Sequence, residues 1–128
     1  MKKAIQILIV EDEAMVAMCI EMELKLAGYE ICQGGAVATG EEAVTIAQRE
    51  SPELILMDIR LAGNIDGIEA ARQIQACTTI PIIFMTGYPD KTVEDRATQL
   101  NPLGYFVKPV RLLMLQPLID STGCVEGT

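Results

Sequence analysis

The sequence predicts an α/β domain in which a doubly wound, five-stranded parallel sheet is covered by five helices. Short, almost continuous apolar runs alternate along the chain with longer segments that carry helix-start and helix-stop signals. Continuous apolar strands are typical of a parallel sheet that is covered on both faces. The length of 128 residues fits one domain, because about 150 residues per domain is the usual expectation. We therefore predict one domain over residues 1–128, with its core at 5–120 and a tail or linker at 121–128.

Five apolar runs predict the strands. The first and third are rich in Ile, Leu and Val and carry no charge, which is typical of strands buried on both faces. The second and fifth are shorter. The predicted strands are residues 5–10, 29–33, 54–57, 80–85 and 104–107.

The segments that follow the strands predict the helices. Gly28 stops the first helix, and Thr39 with Glu42 forms a T-x-x-E capping box at the start of the second. The fourth helix has the weakest pattern. Pro117 lies inside the last helix, so we expect it to kink that helix or delay its start. The predicted helices are residues 14–26, 39–50 including the cap, 67–76, 91–100 and 112–120.

The composition excludes several classes of function. The absence of histidine removes Ser-His-Asp and Cys-His catalysis, histidine metal sites and a histidine phosphocarrier within this chain. With 18 acidic and 10 basic residues, the net charge of −8 argues against direct binding to nucleic acid. No apolar run approaches the roughly 20 residues of a membrane span, and the amino terminus does not resemble a signal peptide.

The cysteines are scattered and none is at CxxC spacing, which argues against a zinc knuckle or a thioredoxin-like motif. A chain with a core of its own and scattered thiols fits a reducing compartment, so we expect a cytoplasmic protein. The four cysteines are Cys19, Cys32, Cys77 and Cys124.

Polar side chains follow four of the five predicted strands. Glu11 and Asp12 follow the first strand, and Asp58 follows the third. Thr86 follows the fourth strand, and Lys108 follows the fifth. Because ligands bind at the carboxyl ends of strands in open parallel sheets, we expect these side chains to meet at one edge.

The chemistry of this set indicates a phosphoryl-accepting metal site. Three carboxylates at one edge repel one another unless a cation is bound, and Mg²⁺ is held in proteins by one or two carboxylates with water and phosphate oxygens. Lys108 adds a point charge and Thr86 a hydroxyl, both suited to a phosphate oxygen. A carboxylate in such surroundings can attack a phosphoryl group and hold it as an aspartyl-phosphate.

Each of these residues has a simpler interpretation when it is taken alone. The acids after the first strand are also favoured by the dipole of the next helix. Asp58 alone is typical of a turn, Thr86 of a cap and Lys108 of a solvated loop. The functional interpretation therefore depends on their joint occurrence at the ends of successive strands.

At these residues the sequence resembles the receiver domain of two-component response regulators, from about residue 5 to residue 120. The resemblance implies a flavodoxin-like receiver fold with strand order 2-1-3-4-5. The motifs that carry it are ILIVEDE at 7–13, PELILMDI at 52–59, DGIE at 66–69, PIIFMTG at 81–87 and GYFVKP at 104–109.

The resemblance implies a role for each residue at the sheet edge. Asp58 would be the phosphoacceptor, and it would hold Mg²⁺ together with Asp12, with Glu11 acting through water. The backbone carbonyl of Arg60 would be the third protein ligand. Lys108 would pair with Asp58 before phosphorylation and with the phosphoryl group afterwards.

The resemblance also implies a switch that catalyses only its own phosphorylation and dephosphorylation. Thr86 would move towards the phosphoryl group, and Tyr105 would follow it as the aromatic switch residue. The Lys108-Pro109 bond would be cis. Phosphorylation would then shift a pre-existing equilibrium between two conformations.

The implied partners are proteins. A sensor histidine kinase or a phosphotransfer protein would donate the phosphoryl group. A downstream effector would bind the face formed by the fourth helix, fifth strand and fifth helix. A homodimer is left open.

Three features depart from the usual receiver pattern. The loop at residues 61–67 is about two residues longer than usual and lacks the proline after Leu61. Val110 replaces the usual aromatic residue after the Lys-Pro pair. Pro117 falls where the last helix of a receiver is normally regular, so we expect a different output face or dimer surface.

Arg60 and Tyr88 lie two residues beyond Asp58 and Thr86, so we expect them to shield the phosphoryl group from water and slow self-dephosphorylation.

Three other functions compete with a phosphoryl-accepting switch. A hydrolase or phosphotransferase with an aspartyl-phosphate intermediate would need a second acid near the acceptor, where position 60 is arginine. A flavodoxin-like cofactor binder would need a phosphate-binding loop after the first strand, and none is present. A degenerate receiver that acts only as an interaction module is disfavoured by the complete set of site residues.

Overall fold

The computed structural model describes residues 4–122, and its strands and helices alternate throughout that range. All five predicted strands and all five predicted helices are present. They are β1 Gln6–Val10, α1 Ala14–Leu26, β2 Glu30–Ile31, α2 Gly40–Glu50, β3 Leu54–Asp58, α3 Gly67–Cys77, β4 Ile82–Thr86, α4 Lys91–Thr98, β5 Gly104–Val107 and α5 Leu112–Ser121.

The strands form one parallel sheet in the order β2-β1-β3-β4-β5, which confirms the predicted doubly wound α/β fold. Val10 pairs with Met57, and Thr86 pairs with Val107. The carboxyl ends of β1, β3, β4 and β5 therefore lie side by side. The residues that end or follow these strands are brought to one edge of the sheet.

The second strand is shorter than predicted because the chain turns away early and returns to β1 at another residue. Gly35 N donates to Cys32 O at 2.9 Å and closes a turn. Val37 then lies beside the end of β1, where its N–H donates to Ile9 O and its carbonyl accepts from Glu11 N, both at 2.9 Å. Glu11 is therefore held on its backbone by the segment that leads into α2.

The predicted capping box at the start of α2 is present. Thr39 Oγ1 accepts a hydrogen bond from Glu42 N at 3.0 Å, and Glu42 Oε1 accepts one from Ala38 N at 3.3 Å. The first bond satisfies an N–H group that the first turn of a helix leaves unpaired, and the second holds the residue before the cap.

Helix α5 begins at its predicted first residue and continues through Pro117 to Ser121, so the proline does not delay its start. A proline has no N–H to donate, and one hydrogen bond of the helix is therefore missing. The predicted tail after this helix, with Cys124, falls outside the described residues.

Two apolar clusters cover the two faces of the sheet, as the alternation of side chains along a strand requires. Leu8 and Val10 of β1 belong to one cluster, and Ile7 and Ile9 belong to the other. Within residues 4–122, no helix has both the length and the apolar character that crossing a membrane requires.

Candidate functional site

A cleft of about 540 Å³ at the carboxyl edge of the sheet is lined by several of the predicted site residues, including Asp12, Asp58 and Lys108. Glu11 and Asp58 are each only 3% exposed, and Thr86 is 2% exposed, whereas Asp12 points to solvent. Two carboxylates are thus held in the protein interior beside an open cleft. The cleft is lined by Asp12, Glu13, Val16, Asp58, Arg60, Gly87, Tyr88, Lys108 and Pro109.

Lys108 joins the two buried carboxylates. Its ammonium donates a hydrogen bond to Asp58 Oδ2 at 2.7 Å and lies 2.7 Å from Glu11 Oε1. The second contact is an ion pair without the alignment of a hydrogen bond. The Lys108 backbone N–H donates to Thr86 O at 2.8 Å, and the Lys108-Pro109 bond is cis. The strand end and the turn after it therefore aim this side chain at the acids.

The proton balance of the cluster follows from burial and from the single ammonium. Burial raises the pKa of Glu11, and the nearby Asp58 charge adds to the rise, against the lowering effects of Lys108 and the Glu13 N–H. Burial lowers the pKa of Lys108, but its contacts with Asp58 and Glu11 outweigh burial, so the net shift is upward. The lysine ammonium is therefore favoured by its two carboxylate neighbours, whereas burial disfavours the charged form of Glu11.

The acidic cluster fits a hard divalent cation. Carboxylate oxygens of Glu11, Asp12 and Asp58 lie within 4.8 Å of one another. Oxygen donors of this kind suit Mg²⁺ rather than the softer metals that prefer nitrogen or sulfur ligands. One ammonium cannot balance three carboxylates, and one of these acids reaches solvent where water could complete a coordination shell.

The two predicted switch residues, Thr86 and Tyr105, are not among the residues that line the cleft. Thr86 Oγ1 accepts from Tyr88 N at 3.1 Å and donates to Tyr88 O at 3.2 Å, so its hydroxyl is bonded to the loop after β4. The Tyr105 ring is half-buried, and its hydroxyl is buried with no hydrogen-bond partner among residues 4–122. Burial raises the pKa of Tyr105, and the charges of Glu94 and Asp90 on the α4 side add to the rise.

Arg60 and Tyr88 meet across the mouth of the cleft. The Arg60 guanidinium lies 4.2 Å from the centroid of the Tyr88 ring, which is a cation–π contact. Arg60 lies two positions after Asp58, and Tyr88 lies two positions after Thr86. The contact therefore links the β3–α3 loop with the β4–α4 loop beside Asp58.

The first residue of α3 packs directly on the backbone of Asp58. A Cβ at Gly67 would overlap the Asp58 carbonyl oxygen, so no larger side chain fits there without displacement. Gly67 N also donates to Ile59 O at 2.7 Å. The DG pair in the sequence thus fixes the chain just beyond Asp58.

An exposed apolar surface starts at the edge of the cleft and continues along α1. We call it the α1 methionine face, consisting of Met15, Met18, Met22 and Leu26, which are 57% to 85% exposed. Its first residue lines a groove together with Lys108 and Pro109. Exposed apolar side chains at helical spacing on one face are typical of a protein-binding surface.

Glu23 is a residue that sequence reasoning missed. Its Oε2 accepts from Arg111 Nε at 2.8 Å, and its Oε1 accepts from Leu112 N at 3.0 Å. It therefore caps α5 from α1 and anchors the end of the turn that carries Lys108. The available signal was that Arg111, the residue before α5, has no side-chain oxygen with which to cap the helix.

Comparison with known families decides the class of protein. The family model for the response regulator receiver domain matches residues 7–120. The chain belongs to the response regulator receiver family. This assignment confirms the resemblance drawn from the five sequence motifs.

The receiver is similar to regulators and to solved receiver domains. It is 35% identical over 115 residues to the "Transcriptional regulatory protein PdtaR" of Mycobacterium tuberculosis, covering 90% of this chain and 55% of that protein. The signal receiver domain of a modulated diguanylate cyclase from Desulfovibrio desulfuricans has a TM-score of 0.86 at 37% identity, covering 94% of each chain. A CheY-like receiver domain protein from Methanospirillum hungatei has a TM-score of 0.81 at 25% identity, covering 93% of each chain.

The receiver spans about half the length of the curated relatives that it matches. Receivers of this family are regulatory domains of two-component systems rather than classical enzymes, and they interact with histidine kinases and effectors. The general function of the family, a phosphoacceptor switch, is the background for the specific roles proposed next.

Proposed function

We propose that this receiver accepts a phosphoryl group on Asp58 from a histidine kinase or phosphotransfer protein and thereby changes the surface that it presents to an effector. The observation that carries the proposal is the buried Asp58 carboxylate, which borders an open cleft and is bonded to the Lys108 ammonium at 2.7 Å. Glu11, Asp12, Asp58 and the Arg60 carbonyl would hold Mg²⁺.

The chemistry is phosphoryl transfer to a carboxylate. An oxygen of Asp58 forms a bond to phosphorus while the bond from phosphorus to the donor atom breaks, and the donor atom keeps the electron pair. Lys108, already in place, offers its positive charge to the phosphoryl oxygens. When bound, Mg²⁺ would neutralise the charge that the carboxylates and the phosphoryl group bring together.

The conformational change would start at Thr86. Its hydroxyl must leave the Tyr88 carbonyl in order to donate to a phosphoryl oxygen on Asp58. That movement would shift the β4–α4 loop, which ends at Asp90, one of the two acids whose charges raise the pKa of Tyr105. The Tyr105 hydroxyl is buried without a hydrogen-bond partner among the described residues. A buried hydroxyl without a partner is costly, so a new acceptor from a shifted loop would stabilise the second conformation.

Two surfaces are available for partners. The α1 methionine face borders the cleft, and we assign it to the phosphoryl donor because a donor must bring its reactive atom to Asp58. The effector surface proposed from the resemblance, formed by α4, β5 and α5, exposes mainly polar side chains on α4. We place the protein in the cytoplasm, and the exposed Cys19 and Cys77 thiols are compatible with a reducing compartment.

Incubation with acetyl phosphate and Mg²⁺, followed by intact-mass measurement, tests the proposal. We expect one added phosphoryl group on the native chain, none on Asp58→Asn, and none when the metal is chelated. Phosphorylation that persists in Asp58→Asn would contradict the assignment. If acetyl phosphate gives no phosphorylated product, the intact-mass measurement is repeated with a histidine kinase as the donor. Absence of a phosphorylated product in that second measurement would refute the proposal that the chain accepts a phosphoryl group.

A further inference from the structure

The loop between β3 and α3, residues 59–66, is held at successive positions by the first turn of α2. Ala62 forms a parallel β-bridge with Thr39. Asn64 N donates to Glu41 Oε2 at 3.0 Å. Gly63 between them has φ of 93°, and a Cβ there would lie 2.6 Å from Glu41 Oε1. The carboxylate of Glu41 thus lies against the backbone of the loop at two adjacent residues, Gly63 and Asn64.

An apolar contact continues this attachment. Ile65 packs against α2 so closely that a Cβ on the buried Gly40 would lie 2.7 Å from Ile65 Cγ1. Ile65 also packs against the apolar cluster on that face of the sheet. The tip of the loop is therefore fixed by both a polar and an apolar contact.

The base of the loop is fixed separately. Gly67 N donates to Ile59 O at 2.7 Å, and Asp66 Oδ1 accepts from Glu69 N at 2.8 Å as the cap of α3. Arg60 therefore lies between a base fixed to β3 and a tip fixed to α2. Releasing the tip would therefore remove one of the two attachments that fix the segment containing Arg60.

We infer that Glu41 is a positioning residue for the metal site, because it holds the loop that carries Arg60, whose backbone carbonyl is the proposed third protein ligand. The inference rests on the proposed Mg²⁺ site. Mg²⁺ demands nearly ideal octahedral geometry, so a ligand on a loosened loop lowers affinity. Glu41 does not contact the metal-binding oxygens and acts only through the loop backbone.

The test compares Glu41→Ala with Glu41→Gln, which remove the same charge. Glutamine keeps a side-chain oxygen that can accept from Asn64 N, whereas alanine does not. We expect Mg²⁺ affinity to fall about threefold to tenfold in Glu41→Ala, the range that one lost hydrogen bond implies. Glu41→Gln should stay within about twofold of the native chain. Affinity is measured from amide chemical shifts during a MgCl₂ titration.

A second measurement reports on the attachment itself. Amide hydrogen exchange at Asn64 should accelerate in Glu41→Ala, with thermal unfolding still cooperative. Equal Mg²⁺ affinity in Glu41→Ala and the native chain would overturn the inference, and equal weakening in both variants would assign the effect to charge and overturn it as well. Absence of Mg²⁺ binding by the native chain would instead refute the proposed metal site on which the inference rests.

Discussion

Lys108 organises the cleft because its ammonium contacts two buried carboxylates at once, at 2.7 Å each. Removing one partner of a buried ion pair leaves an uncompensated charge, so the three side chains of Lys108, Asp58 and Glu11 act as one unit. The residue types and their strand ends were predictable from sequence. Their distances were not, since these depend on the register of four strands.

Arg60 and Tyr88 should slow loss of the phosphoryl group if they shield it. We predict that the double variant Arg60→Ala, Tyr88→Ala loses its phosphoryl group about twofold to fivefold faster, because an exposed cation–π contact is worth about 0.5–1 kcal/mol. The measurement is intact mass against time after removal of the donor. Arg72→Ala, which replaces an exposed arginine on α3, is the control. Coinciding decay rates for the double variant and the native chain would remove the shielding role.

Cys32 should be the least reactive of the described thiols. Burial raises its pKa to about 11, above its ordinary 9.0, and the Glu50 charge adds to the rise. Only the thiolate reacts, so at about pH 8 iodoacetamide should label exposed Cys19 and Cys77 well before Cys32. Because the folded pKa is raised, the thiol stabilises the fold below pH 9 and loses this contribution as the pH rises towards 11. Peptide mass analysis gives the rates, and equal labelling would show that Cys32 is accessible.

At the scale of elements, local sequence patterns predicted the helices and strands better than they predicted the contacts between them. Both α1 and β5 have their predicted bounds, and the capping box starts α2 as expected. The second strand ended early because Val37, a residue outside the apolar run, pairs with β1 in its place. Glu23 and Glu41 bind backbone groups of distant elements. Such contacts leave no periodic signal in the sequence.

The start of α3 contacts the backbone of Asp58, the proposed acceptor. Gly67→Ala should destabilise the fold by about 1–3 kcal/mol, as is usual for an added group in a tightly packed place, and should reduce phosphorylation by displacing Asp58. Urea unfolding measures the first effect, and intact mass with acetyl phosphate measures the second. Gly87→Ala is the matched control for stability, because a Cβ there meets nothing within 4 Å. Equal stability of the two variants would show that α3 can shift without cost.

At the scale of the whole molecule, the fold stores charge repulsion at one edge of a well-packed sheet. Two apolar clusters hold the strands rigid from both faces. The ends of these strands hold three carboxylates close together in spite of their mutual repulsion. The sequence contains the three acids, but only the sheet order brings β1 beside β3 and so makes them neighbours.

Mg²⁺ should therefore stabilise the chain as a whole. At about 100 times its Kd, the free energy of unfolding should rise by about 2.7 kcal/mol. Asp12→Asn should lose most of this gain. In the absence of Mg²⁺, Asp12→Asn should have a higher free energy of unfolding than the native chain, because the substitution relieves repulsion between the carboxylates. Urea unfolding with and without MgCl₂ measures both effects. Glu30→Gln, an exposed acid on β2, serves as the charge control. A full Mg²⁺ gain in Asp12→Asn would exclude that carboxylate from the site.

The α1 methionine face gives the surface a chemical sensitivity that the core does not share. Met15, Met18 and Met22 are 57% to 79% exposed, and peroxide converts such thioethers to polar sulfoxides. These side chains belong to neither apolar cluster, so oxidation should leave the fold intact while making the face hydrophilic. An oxidised sample would then still take a phosphoryl group from a small molecule but would recognise a protein donor poorly.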